Sequence, residues 1–295
     1  MKCIIYVFSG TGNTRLIANL YQEFLSDYLT EIYDIKSPAL ECPNPNDYDL
    51  IGFGHPVHGF NAPKLMYDFC KELPAIREGK KTAFVFTTSG EGLRVNNFAS
   101  QMIVRKLERK GYHFIQQQRY VMPYNMIFRH SPQMVKSEYI YAKKLAEYSC
   151  KNLLSKKETL VHRCNILSFY LPIVRILWLY AKIQSPFMKV DMNKCIKCNK
   201  CIKACPYGNI SFDSTKNQFK FGNNCLLCVA CSFGCPEEAI SIGLLNGWRI
   251  NGDYKILQTS LDDSIEFPYF TSKNLKGLKR LAYLKYFQSL DKLLK

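Results

Sequence analysis

No apolar stretch of this 295-residue sequence runs uninterrupted for the length a bilayer demands. The nearest approach, "ILSFYLPIVRILWLYAKI" at 166–183, is broken by Pro172, Arg175 and Lys182. An arginine near a span centre alone costs about 2.5–3.5 kcal/mol. The segment therefore reads as a helix packed on protein, with an interfacial membrane helix as the weaker option. The opening "MKCIIYVFSG" lacks the longer apolar region and small-residue cleavage site of a signal peptide, so a cytoplasmic location is expected. Acidic residues are scarce, 24 against 40 Lys and Arg, for a formal net charge of +16. The excess lies in short blocks, densest for its length at 156–190, and reads first as a solvated surface. Docking to an acidic partner or peripheral contact with an anionic membrane is the less favoured alternative. No nucleic-acid recognition motif accompanies the charge, which argues against nucleic acid as a partner. Low-complexity tracts are missing too, so global disorder is excluded.

Nucleotide fingerprints are equally incomplete. "SGTGNT" (9–14) has Arg15 where a dinucleotide loop needs a third glycine or alanine, and "GHPVHGFN" has Phe60 where a Walker loop needs lysine. No nicotinamide site is evident. His55 and His58 share a loop that offers no carboxylate or thiol, so ring packing or hydrogen bonding is the expected role rather than metal ligation. A single Glu91 after Gly90 is no sign of acid–base catalysis.

Cysteine, by contrast, is abundant. Of 13 cysteines, eight lie in two combs, "CIKCNKCIKACP" (195–206) and "CLLCVACSFGCP" (225–236). Cys3, Cys42, Cys70, Cys150 and Cys164 are scattered, which is no disulfide framework and suits a reducing compartment. Structural zinc also accepts four cysteines, but its sites usually pair CxxC with CxxC at longer range. The duplicated CxxCxxCxxxCP spacing favours iron–sulfur. A module of about fifty residues gains little from a hydrophobic core, so its clusters should serve as one.

Residues 191–243 resemble a bacterial two-cluster ferredoxin. In that pattern the fourth cysteine of each comb ligates the other cluster. The resemblance assigns Cys195, Cys198, Cys201 and Cys235 to one [4Fe–4S] cluster, and Cys225, Cys228, Cys231 and Cys205 to the second. Pro206 and Pro236 follow the fourth ligands, and "NISF" and "AISI" stand where such ferredoxins pair short strands. Ferredoxins usually carry glycine where Asn199 and Val229 stand. Asn tolerates a left-handed backbone and Val resists it, so the peptide N–H pattern around the second cluster is expected to differ.

Up to about residue 155, buried non-alternating strands alternate with helices. That pattern predicts a doubly wound parallel α/β sheet covered on both faces. Small residues and hydroxyls in Ser9, Gly10, Thr11, Gly12, Asn13 and Thr14, placed between the first strand and first helix, form a phosphate cradle. The loop matches every fixed position of the flavodoxin phosphate site, [ST]xTGNT. The flavodoxin resemblance implies a sheet of order 2-1-3-4-5 and FMN contacts from two further loops at the carboxyl edge. Those are 54–63, with Pro56, Val57, His58, Gly59, Phe60 and Asn61, and 87–92, with Thr88, Ser89, Gly90, Glu91 and Gly92. His58 or Phe60 would stack on the ring.

The expected division is a flavodoxin-like domain (1–155), a helical connector (156–190), a small α+β ferredoxin domain (191–243) and a C-terminal extension (244–295). The last carries a basic amphipathic helix with Leu278, Leu281, Leu290 and Leu294 among its apolar positions, docked on the body. As a whole the chain resembles the flavodoxin–ferredoxin fusion proteins of anaerobes. That implies electron transfer between FMN and two [4Fe–4S] clusters, as a carrier or a flavin-dependent oxidoreductase, with a redox protein or small molecule as donor or acceptor. The alternatives are a ferredoxin-type carrier whose flavodoxin-like part is a flavin-free docking module, and a zinc-stapled structural protein.

Overall fold

The structure is a computed structural model that describes residues 1–36, 42–162 and 176–294. Most of the apolar segment 166–183 lies outside those residues, as does Cys164. None of the described helices is long and apolar enough to cross a membrane.

The strand–helix alternation folds as expected. Strands β1 (Lys2–Val7), β2 (Leu29–Asp34), β3 (Leu50–Pro56), β4 (Lys81–Ser89) and β5 (Tyr112–Val121) form one parallel sheet of order β2-β1-β3-β4-β5. This is the flavodoxin-like order, whose ligands sit beyond the carboxyl ends of the strands. Helices α1 (Asn13–Phe24) and α4 (Pro132–Leu154) cover one face through Ile17, Tyr21, Tyr141 and Leu145. Helices α2 (Lys64–Glu72) and α3 (Gln101–Glu108) cover the other through Leu65, Met66, Phe69, Ile103 and Leu107. Helix α4 starts where Ser131 Oγ accepts from Met134 N at 3.4 Å and Pro132 opens the first turn.

Beyond α4, helix α5 (Ile176–Gln184) leads into the cysteine module. "NISF" supplies β7 (Ile210–Asp213), which pairs with β8 (Gln218–Phe221), while "AISI" supplies β9 (Ile240–Ser241), which pairs with β6 (Lys189–Val190). Tyr207 ties the module to α2 by donating to Asp68 Oδ2 at 3.1 Å. The 248–254 segment ties it to the loop after β5. Ile127 N donates to Trp248 O at 2.8 Å, Tyr254 Oη to Tyr124 O at 2.7 Å, and Arg129 reaches the carbonyls of Asn251, Gly252 and Asp253.

The C-terminal helix docks on the body by half of the expected stripe, Leu290 and Leu294, but not by Leu278 and Leu281. Tyr283, Leu284, Phe287 and Leu290 are buried in the core beneath α4, whereas Leu278 and Leu281 are 84% and 69% exposed. Tyr283, Phe287, Leu290 and Leu294 recur at four-, three- and four-residue steps and share one helical face, whereas Leu278 and Leu281 fall on the opposite side at about 100° per residue. A π-helical turn at Arg280–Leu284 lies between Gly277–Lys279 and Lys285–Leu293.

Candidate functional site

The chain leaves β1 into residues 9–14, where Gly12 takes φ +96° and turns it into α1. A side chain at that angle is strained. No side chain caps α1, so its first N–H groups stay available to the loop. Ser9 Oγ is buried and has no hydrogen-bond partner. A buried hydroxyl without a partner beside an uncapped helix N-terminus suits a phosphate oxygen. Thr14 Oγ1 lies 2.8 Å from Thr88 Oγ1, tying this loop to the one after β4. Asn13 Nδ2 donates to Pro123 O at 2.7 Å, tying it to the loop after β5.

After β3, His58 and Asn61 exchange backbone bonds of 2.9 and 3.1 Å around Gly59 and Phe60, both left-handed at φ +53° and +65°. The tight turn holds the Phe60 ring out at the mouth of a cavity. His55 is fully buried, with Nδ1 2.9 Å from Pro56 O and Nε2 3.0 Å from Ser100 Oγ. Burial pushes its pKa down to about 4, so it is a neutral hydrogen-bonding group. His58 is pushed to about 4 as well, by burial and then by His55, and its ring meets Phe8 edge-on.

The loop after β4 is held from behind by residues that the sequence reading missed. Arg119 donates to Glu91 O at 3.0 Å and Gly92 O at 3.2 Å. The Glu91 carboxylate accepts from Asn96 Nδ2 at 2.7 Å and from Tyr124 Oη. Tyr283, from the C-terminal helix, donates to Gly90 O at 2.7 Å and lies 3.2 Å from His130 Nε2. His130 Nδ1 lies 2.8 Å from Glu138 Oε1, and both side chains are wholly buried. Burial raises the Glu138 pKa, partly offset by His130.

These loops surround a cavity of about 1040 Å³, at the upper end of the range for small-molecule sites. The expected flavin-loop residues line it except Gly12, Asn61 and Gly92. Gly12 shapes the turn. Asn61 is buried and braces Ala62 N at 2.8 Å, and Gly92 N donates to Ala282 O at 2.8 Å. The remaining wall comes from the loop 122–128, from Leu177 and Trp178 of α5, from Trp248, and from Leu281 and Tyr283. The loop 122–128 was legible in principle, since it leaves the carboxyl end of β5. The α5, Trp248 and Tyr283 contributions carry no local motif.

The second comb completes the wall through Cys225, Leu226 and Leu227. Gly10 packs on it so closely that a Cβ there would stand 2.7 Å from Cys228 O.

Every described cysteine is a free thiol. Cys195, Cys198, Cys201 and Cys235 surround one hollow, and Cys205, Cys225, Cys228 and Cys231 a second. The fourth cysteine of each comb thus lies with the first three of the other. Burial raises the Cys225 and Cys231 thiols, and raises Cys228 to about 12, so a cluster entering there displaces protons. The backbones of the two combs match. Lys197 N and Leu227 N point at Cys195 Sγ and Cys225 Sγ from 3.4 and 3.3 Å, and Asn209 N and Ala239 N at Cys205 Sγ and Cys235 Sγ from 3.2 and 3.4 Å. The expected difference at Val229 does not occur: Val229 and Asn199 are both left-handed, at φ +53° and +57°. Burial of Val229 against Met188, Ile240 and Ile242 offsets a backbone strain of about 1–2 kcal/mol.

Comparison with known proteins matches residues 187–210 to a 4Fe-4S binding domain. Over 53 residues the chain is 38% identical to an uncharacterized ferredoxin of Methanocaldococcus jannaschii and 38% identical to an archaeal-type glutamate synthase [NADPH] of Thermotoga maritima. Those matches take in 18% of this chain, 36% of the ferredoxin and 10% of the synthase, so the chain spans only a minor part of each relative. Among solved structures, the flavodoxin of Streptococcus pneumoniae TIGR4 aligns with 53% of this chain and 99% of its own, at 16% identity and TM-score 0.40. The two-electron reduced flavodoxin of Megasphaera elsdenii aligns with 51% of this chain and 99% of its own, at 22% identity and TM-score 0.35. The described chain therefore joins a flavodoxin-like sheet to a 4Fe–4S-type cysteine module.

Proposed function

We propose that this chain is an electron-transfer protein, working as a redox carrier or a flavin-dependent oxidoreductase. In this reading the loops 9–14, 54–63 and 87–92 hold FMN, and the two combs hold two [4Fe–4S] clusters. The working division stays 1–155, 156–190, 191–243 and 244–295. One observation carries the reading: the cavity between the three loops is closed by Cys225, Leu226 and Leu227, with Gly10 against Cys228. A site built only to store a flavin has no need of a cysteine comb in its wall.

Flavins exchange one or two electrons and clusters one, so the pairing supplies conversion between paired and single electrons. The chain's own residues do the rest. Ser9, Thr11 and the open end of α1 bind the phosphate. Phe60, Leu177, Trp248 and Leu281 give the cavity an apolar rim. Arg119 and Tyr283 fix the carbonyls of Glu91, Gly92 and Gly90. The N–H groups aimed at Sγ stabilise thiolate ligands.

Anaerobic purification with flavin and iron analysis tests this. About one FMN and eight irons per chain are expected from two [4Fe–4S] clusters beside one flavin. Iron without flavin selects the docking-module alternative, and zinc at the combs overturns the reading.

A further inference from the structure

The two combs share one backbone but not one surface, and the difference has a direction. Set in register thirty residues apart, Lys197, Lys200 and Lys203 of the first comb stand opposite Leu227, Ala230 and Phe233 of the second. Residues 225–236 contain no charged side chain, whereas residues 189–205 contain five lysines and one aspartate. The apolar set is used inward: Leu227 walls the cavity, Ala230 packs into the flavodoxin-like core and Phe233 against Val135 and Tyr254. The lysines all face outward. Lys189, Lys194, Lys197, Lys200 and Lys203 are exposed, and among the described residues no ion pair engages any of them.

Inside this collar the first hollow approaches solvent. Cys198 is exposed while its counterpart Cys228 is only 8% exposed, and Ile196 beside it is 61% exposed. An apolar centre within a ring of charge is the anatomy of a docking site. The nearby acids do not cancel the collar. Asp191 Oδ1 accepts from Asn193 N at 3.0 Å, Glu238 Oε2 from Asn251 Nδ2 at 2.9 Å, and Asp213 Oδ2 pairs with Lys220 at 2.7 Å. Glu237, on the wall of the hollow, is the one acid facing it without such a partner among the described residues.

We propose that this lysine collar docks an acidic protein carrying a one-electron centre near its surface, and that the first comb is where electrons leave or enter the chain. The inference rests on the electron-transfer reading above. It adds an order to it: cavity, second comb, first comb, partner. One electron crosses this face and the partner is correspondingly reduced or oxidised, with no bond made or broken.

The test follows electron exchange between the anaerobically purified full chain and an acidic ferredoxin. The expected rate falls at least tenfold between about 0.01 and 1 M salt, as the screening length shrinks from roughly 30 to 3 Å. The triple variant Lys194→Glu, Lys200→Glu and Lys203→Glu loses at least tenfold at low salt. Reduction by dithionite, with iron content, controls for intact clusters in every sample. A salt-independent exchange rate in the wild type overturns the docking face even if the variant does not fold. So does an equal loss from Arg77→Glu with Lys80→Glu, exposed residues just before β4, at the edge of the sheet away from the cavity. Protein without iron sinks the electron-transfer reading instead, so the two failures are distinguishable.

Discussion

Gly10 and Cys228 meet backbone to backbone, the carbonyl oxygen of Cys228 standing where a Gly10 side chain would begin. The loop 9–14 and the second comb thus share one contact, with no side chain between. Replacing Gly10 with valine must push the two loops apart. We expect Gly10→Val to lower stability by about 1–3 kcal/mol, the usual range for overpacking, and to slow electron exchange between flavin and clusters at unchanged iron content. Urea unfolding and rapid-mixing absorbance would read the two effects separately.

Chelation should unfold one part of the chain before the other. The cysteine module's own apolar cluster is small, with Met188, Val229, Ile240 and Ile242 as its buried members. The five-stranded sheet is packed on both faces. Stripping iron is expected to abolish hydrogen-exchange protection across 189–243 while β1–β5 keep theirs. Simultaneous loss in both would show that the sheet depends on the clusters.

His55 gives the fold a pH dependence whose sign can be worked out. Burial lowers its pKa to about 4 from the ordinary histidine value of about 6.5, so the unfolded chain binds a proton between those values and the native chain does not. Its contribution is complete above pH 6.5 and shrinks as pH falls toward 4, by about 3 kcal/mol in all. His58 is lowered to about 4 as well, so His55→Gln should reduce the slope of that segment of a stability–pH curve and the double variant His55→Gln with His58→Gln should flatten it. An unchanged slope would mean another group is responsible.

Tyr283 connects the buried Glu138–His130 pair to the Gly90 carbonyl. Tyr283→Phe leaves that carbonyl and His130 Nε2 short of a partner, which costs about 1–3 kcal/mol. A lower melting temperature and weaker FMN retention are expected together, because Gly90 lies in the cavity wall. Loss of stability with flavin affinity intact would separate the C-terminal helix from the site.

The parts of this architecture that follow local periodicity were legible in the sequence. The alternation of buried strands with helices anticipated the parallel sheet of five strands, and the four cysteines lining each hollow are those that the two-cluster resemblance groups together. Features set by distant packing were not. In the C-terminal helix the docked face is Tyr283, Phe287, Leu290 and Leu294, and Leu278 and Leu281 lie on the other side, which apolar content alone did not distinguish. Val229 holds a left-handed angle that its side chain opposes, because its burial outweighs local preference. Arg119 sits within β5 and reads as an ordinary strand residue. Its role emerges only once β5 lies beside β4 and its guanidinium reaches the carbonyls of 91 and 92.

The most direct test mixes the anaerobic, oxidised full chain with a two-electron donor to the flavin and follows the flavin and cluster bands together. If one cavity joins the loops to the second comb, cluster bleaching follows flavin reduction as a first-order process whose rate does not change with protein concentration. A rate rising in proportion to concentration would place the two centres in communication only between molecules, and would contradict the shared wall of Gly10 and Cys228.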